Sequence, residues 1–232
     1  MNESISFVTN CYEKDYTTVL DTHRLISNIA SNGVHFDEKI IIVNIFKKNK
    51  IIEDMCKQLI NDNVITHYYM TCDYISEIHT QFNISKSSFS NEWIYNNNMF
   101  NLASIYLSKS KYMVFYTGDS ICIQPSNWIP DSIKLFSSSS DVIVCNNKWA
   151  EDITNQQTRI RETNEFYIGI GFSDQNYMVR RADVLNDEIL IYRSPYPYPH
   201  GDTFEMRFDG YMRKHNKLRA THKLGIYKHK NF

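Results

Sequence analysis

The sequence predicts an α/β protein with a doubly wound, mostly parallel central sheet flanked by helices. Three observations carry this. Roughly the first 70 residues read strand, helix, strand, helix, strand, which is how such a sheet opens. A continuous apolar run, Tyr112–Tyr116, stops at Gly118 and fits a strand buried on both faces. The chain has 232 residues, 42% of them hydrophobic, enough for a single domain with a sizeable core.

Each element follows from local pattern. Residues 5–9 alternate into a first strand that stops in the polar stretch 10–15. Residues 16–30, apolar at Val19, Leu20, Ile26, Ile29 and Ala30, predict a helix ending before Asn32 and Gly33. Residues 39–46 predict a second buried strand interrupted by Asn44, residues 51–60 a helix, and residues 64–70 a third strand. Right-handed crossovers would then set Thr9, Asn44 and Asp119 along one edge of the sheet. Residues 71–90 are polar and irregular and read as a loop over that edge. Residues 91–108 predict a helix with an apolar face that leads into the central strand.

Beyond the central strand, the chain resumes at Ile121, Cys122 and Ile123 before Pro125. A helix is expected over 126–136, and short strands over 141–145 and 177–179. Alternating prolines make residues 192–199 a surface loop, since proline removes a donor and fixes the backbone. Asp202 or Thr203 is placed to cap a helix over 204–215, with Glu205 in its first turn.

Composition narrows the function. The formal net charge is −1, with acids and bases mixed, which argues against a nucleic-acid partner. The five cysteines are scattered, without a paired motif, and read as reduced thiols. No stretch is long and apolar enough for a transmembrane segment, and the N-terminus is not a signal peptide, so a cytoplasmic location is expected. The glycines at Gly169 and Gly171 do not open a helix after a first strand, which rules out a dinucleotide fingerprint.

Asp119 is the first candidate for chemistry. It follows Gly118 at the end of a buried strand, where open α/β sheets bind ligands, and suits a metal or phosphate site; an ordinary turn residue is the bland alternative. The C-terminal tail, residues 219–230, gathers His222 and His229 with four cations.

The stretch from Asn101 through Ser108, Ser110 and Tyr112 to Thr117, Gly118 and Asp119 resembles the core motif of nucleotide-sugar glycosyltransferases with the GT-A fold. The resemblance implies that the halves 1–125 and 126–232 of one domain bind the sugar nucleotide and the acceptor respectively. It implies Mn²⁺ or Mg²⁺ held by Asp119 with His229 or His222, His229 being preferred. It places the nucleotide-sugar donor against Thr9, Asn10, Tyr12, Glu13, Asn44, Asn101 and Gly118, with Lys228 and Lys230 near the phosphates. It makes Asp202, followed by Glu205, the acid that takes the proton from a glycan or lipid-linked acceptor, in an inverting transfer that serves polysaccharide or glycoconjugate synthesis. One departure stands out: Thr117 replaces the first acid of the Asp-x-Asp motif. A nucleotidyltransferase and a non-catalytic sugar- or nucleotide-binding module are the alternatives.

Overall fold

The computed structural model describes residues 3–151, 158–196 and 201–229. Ten strands form a single mixed sheet. They are β1 (Ile5–Tyr12), β2 (Glu38–Asn44), β3 (His67–Met70), β4 (Tyr112–Tyr116), β5 (Ser120–Gln124), β6 (Val142–Trp149), β7 (Thr158–Glu162), β8 (Phe166–Ile170), β9 (Asn176–Arg180) and β10 (Leu218–His229). The order across the sheet is β3-β2-β1-β4-β9-β6-β10-β8-β7, with β5 also paired to β10. The first four strands of that order run parallel, as expected. Strand β9 then lies antiparallel between β4 and β6, and β10 returns parallel to β6.

Helices α1 (Tyr16–Val19), α2 (Thr22–Ala30), α3 (Lys50–Asn61), α4 (Ile75–Gln81), α5 (Glu92–Leu107), α6 (Trp128–Ser138), α7 (Arg181–Val184) and α8 (Phe204–Lys214) complete the chain. The strand period of two sorts the core. Met113 and Phe115 of β4 join the cluster that holds α5 and α8, while Tyr112, Val114 and Tyr116 join the one that holds α6. A third cluster packs Ile41 and Val43 of β2 against Ile52, Cys56 and Leu59 of α3. All five residues of β4 are at most 1% exposed, as a strand flanked by β1 and β9 must be.

Four expectations need correction. The helix expected over 16–30 is two helices, because Asp21 leaves helical geometry and caps α2 by accepting from Arg24 N at 2.8 Å. Thr9 lies inside β1 rather than at its end, so Tyr12, beside Asn44, occupies the sheet edge. Residues 71–90 are not one loop: they hold α4 between two short 3₁₀ turns, and Ile78 and Phe82 enter the core. The basic tail is strand β10, which pairs with β8 through His222 and with β5 from Ile226 onward.

The turn between β4 and β5 is held from three sides. Gly118 N donates to Asn10 Oδ1 at 3.0 Å, Arg24 donates to Gly118 O at 2.6 Å, and Thr117 N donates to Gln175 O at 2.8 Å. Glycine is required there, since a Cβ would stand 2.3 Å from the Asn10 carbonyl oxygen and 2.8 Å from a Val19 methyl. Gly118→Ala is therefore expected to cost about 1–3 kcal/mol. Thermal unfolding would show this as a melting temperature lower by several degrees, roughly 2–4 °C per kcal/mol. A variant that melts with the parent would refute this close packing.

Candidate functional site

Two connected cavities open at the carboxyl ends of β1, β2 and β4, where this architecture places ligands. The smaller, about 340 Å³, is lined by residues from both halves of the chain, among them Asn10, Tyr12, Gly118, Asp119, Glu205 and His229. The larger, about 820 Å³, is lined by Tyr12, Glu13, Asn44 and Asp119, with Lys14, Lys47 and Phe46. Both volumes fall in the range of ordinary ligand pockets.

Asp119 and His229 meet although 110 residues separate them, because the antiparallel register of β5 and β10 sets His229 opposite Ser120. His229 Nε2 lies 2.7 Å from Asp119 Oδ2. Burial alone would raise the Asp119 carboxyl; the hydrogen bond and charge of His229, helped by Thr117, outweigh it and hold the group below its ordinary value. The hydrogen bond to Asp119 raises the His229 imidazole in turn. Thr117, standing where the motif's first acid was expected, also meets Ser120 Oγ at 2.7 Å, so it shapes the turn that presents Asp119.

Three more carboxyls line the smaller cavity. Burial raises Asp15, against a hydrogen bond from Tyr12 N at 2.7 Å. Burial also raises Asp174, with the Asp119 charge adding to it and Asn101 opposing. Glu205 is raised well above its ordinary value by burial and then by Asp174. The Asp119 charge raises Asp15 and Asp174, and Asp174 raises Glu205, so the cavity gains from a cation. Asp119 and His229 are a fitting donor set for Mn²⁺, a cation that accepts both carboxylate and imidazole. No cluster of three or more metal-binding side chains exists among the described residues, so ligand oxygens would have to complete the coordination.

Other expected residues take different places. Glu13 and Asn44 line the larger cavity; Asn44 donates to Asn96 O at 2.9 Å, and its own Oδ1 is buried without a partner. Asn101 is fully buried in α5 and accepts from Tyr177 at 2.9 Å, outside both linings. Thr9 is buried in β1, and Lys228 is exposed; neither lines a cavity. Lys230 lies outside the described residues.

His222 is not placed to bind a metal. Its Nδ1 accepts from Gly225 N at 3.0 Å, inside the bulge in β10, and its Nε2 faces Asp131 of α6 at 3.5 Å, so both ring nitrogens are already engaged. Burial lowers its pKa and keeps the ring neutral.

Asp202 also departs from its expected role. Arg193 grips it with two hydrogen bonds of 3.0 Å, and Arg207 with two more of 2.8 and 2.5 Å. Burial would raise the Asp202 carboxyl, but the two guanidiniums hold it below its ordinary value, which makes it a poor proton acceptor. Arg207, 4% exposed, also donates to Leu190 O and Ser88 O, so the cluster anchors the start of α8. Of the two expected acids, the cavity takes Glu205.

The sequence reading missed Asp174, and antiparallel β9 explains why. In a reversed strand the N-terminal end reaches the carboxyl edge of its parallel neighbours, and Asp174 lies two residues before β9. Trp93 was read as an apolar-face residue; it is 52% exposed and lines both cavities.

The stability contributed by Asp202 is present above the ordinary carboxylate value and fades as pH falls through its lower folded value. Asp202→Asn should lower stability by about 1–3 kcal/mol near neutral pH, because it leaves the Arg207 charge buried without its partner. Chemical denaturation at a series of pH values should show the gap to the parent closing as the pH falls below the ordinary carboxylate range. A gap that does not vary with pH would contradict the clamp.

No family model matches the sequence, and no curated protein matches it. Solved structures do. One is TarS of S. aureus, at 10% identity and a TM-score of 0.54, covering 98% of this chain and 37% of TarS. A second is GalNAc-T7, crystallised with UDP, GalNAc and Mn²⁺, at 11% identity and a TM-score of 0.56, covering 98% of this chain and 44% of that protein. A third is glucosyl-3-phosphoglycerate synthase from Mycobacterium tuberculosis, with Mn²⁺, UDP and phosphoglyceric acid, at 13% identity and a TM-score of 0.53, covering all of this chain and 72% of that one. The chain thus spans less than half the length of the first two. At these identities the likeness is one of fold, and the fold is that of the GT-A glycosyltransferases.

Proposed function

We propose that the protein transfers a sugar from a nucleoside-diphosphate sugar to a hydroxyl of a glycan or lipid-linked acceptor, as part of surface polysaccharide or glycoconjugate synthesis in the cytoplasm. The observation that carries this reading is the Asp119–His229 pair opening onto the same cavity as Glu205. The solved neighbours that bind UDP and Mn²⁺ share the architecture that builds this cavity.

A divalent cation held by Asp119 and His229 would neutralise the charge that develops on the departing diphosphate. The chain's own residues do the rest. Lys14 and Lys47, lining the larger cavity, supply positive charge toward the nucleotide phosphates. Tyr12 and Trp93 offer ring faces to a base or a sugar. The acceptor hydroxyl forms the new bond to the anomeric carbon as the bond to the diphosphate breaks, and its proton passes to Glu205. A carboxyl made more basic by burial suits that step, where Asp202, held low by two guanidiniums, does not. An inverting outcome follows if Glu205 activates a direct attack from the side opposite the leaving group.

The replacement of the first motif acid by Thr117 favours one alternative, a module that binds the donor without turnover. Two variants separate the readings. Asp119→Asn should abolish metal-dependent binding of uridine or guanosine diphosphate in calorimetry, with the fold retained. Glu205→Gln should keep donor affinity while cutting turnover by roughly 10²-fold or more. Parent-like nucleotide binding by Asp119→Asn would remove the metal assignment. Donor binding by the parent, with no transfer to any acceptor and no donor hydrolysis, would favour the binding module.

A further inference from the structure

We infer that the sugar this protein carries has no acid group: the smaller cavity suits a neutral or amino-bearing hexose and disfavours a uronic or sialic acid. The inference rests on reading the two cavities as a nucleotide-sugar site.

The cavities differ in charge. The larger sets Lys14 and Lys47 against Glu13, Asp15 and Asp119, beside the exposed rings of Phe46 and Trp93. The smaller has Asp15, Asp119, Asp174 and Glu205, and among the described residues no lysine or arginine lines it. The imidazole in that described lining, His229, is already paired with Asp119. Tyr12, Asp15, Trp93, Asn97 and Asp119 belong to both walls and form the passage between them. A donor whose diphosphate sits at Asp119 therefore reaches back with its nucleoside to the lysine side. Its sugar lies on the acid side.

What waits there can accept hydrogen bonds and cannot neutralise an anion. The nearest cation to influence Glu205, Arg219, lies outside the lining, and its charge is outweighed by burial and by Asp174. Asn101, fully buried behind Asp174, opposes the rise of that carboxyl by a side-chain hydrogen bond but brings no positive charge to the wall. Sugar hydroxyls or a sugar ammonium donate into such a wall. A carboxylate on the ring would become one more desolvated negative charge among these acids, the repulsive element by which a site rejects a substrate.

Matched donors differing only at C6 test this. Calorimetry with Mn²⁺ at about pH 8, above the value of about 6 to which burial raises Asp174, would compare UDP-glucose with UDP-glucuronate and GDP-mannose with GDP-mannuronate. The neutral donor of the pair that binds should bind at least about tenfold tighter than its acidic counterpart, and UDP-glucosamine at least as tightly as UDP-glucose. Asp174→Asn should narrow the gap between neutral and acidic donors. An acidic donor that binds within about twofold of its neutral partner, while bare UDP or GDP also binds, would overturn the inference and leave the proposed function standing. If neither the sugar nucleotides nor the bare diphosphates bind, the reading of the site falls and takes the inference with it.

Discussion

The contact on which the site depends is the hydrogen-bonded pair of Asp119 and His229. Neither residue would hold its place alone. Asp119 sits on a four-residue turn pinned by Asn10, Arg24 and Gln175, and His229 sits at the far end of the longest strand. The antiparallel register between β5 and β10 brings them together. The bulge at His222 makes that register possible, because it lets β10 leave β8 and take up β5 within a few residues. One histidine shapes the strand, and the other is delivered by it.

The acids divide into two groups by their neighbours. Asp202 is surrounded by guanidiniums and serves structure, since its charge compensates a buried Arg207 at the entrance to α8. Asp15, Asp119, Asp174 and Glu205 share a cavity that no lysine or arginine among the described residues lines. A group of like charges kept this close is costly in the unliganded protein. Binding sites store such cost where a ligand will relieve it, and a cation at Asp119 is the most direct relief.

Much of this was legible in the sequence. The central strand, its buried character and Asp119 at its end follow from an apolar run closed by glycine, a pattern that needs no knowledge of distant partners. Strand β10 was not legible, because its alternation is masked by lysines on the exposed side and by the bulge; the residues read only as a basic tail. The reversed strand β9 was equally hidden, and Asp174 with it, since pairing direction is a property of the whole sheet. Asp202 and Glu205 were chosen from position on a helix, and position alone could not tell which carboxyl meets arginine and which faces the cavity. Arg193 and Arg207 decide that, one from the start of the proline-rich stretch and one from a turn inside α8.

The central claim is that Asp119 and His229 form half of a metal site whose other half is the diphosphate of the donor. Titration of Mn²⁺ into the protein, with and without a saturating nucleoside diphosphate, tests it most directly. The account predicts weak binding of Mn²⁺ alone and an affinity about tenfold or more higher with the nucleotide, with the same factor appearing when nucleotide is titrated at saturating metal. Equal Mn²⁺ affinity in the presence and absence of nucleotide would contradict it.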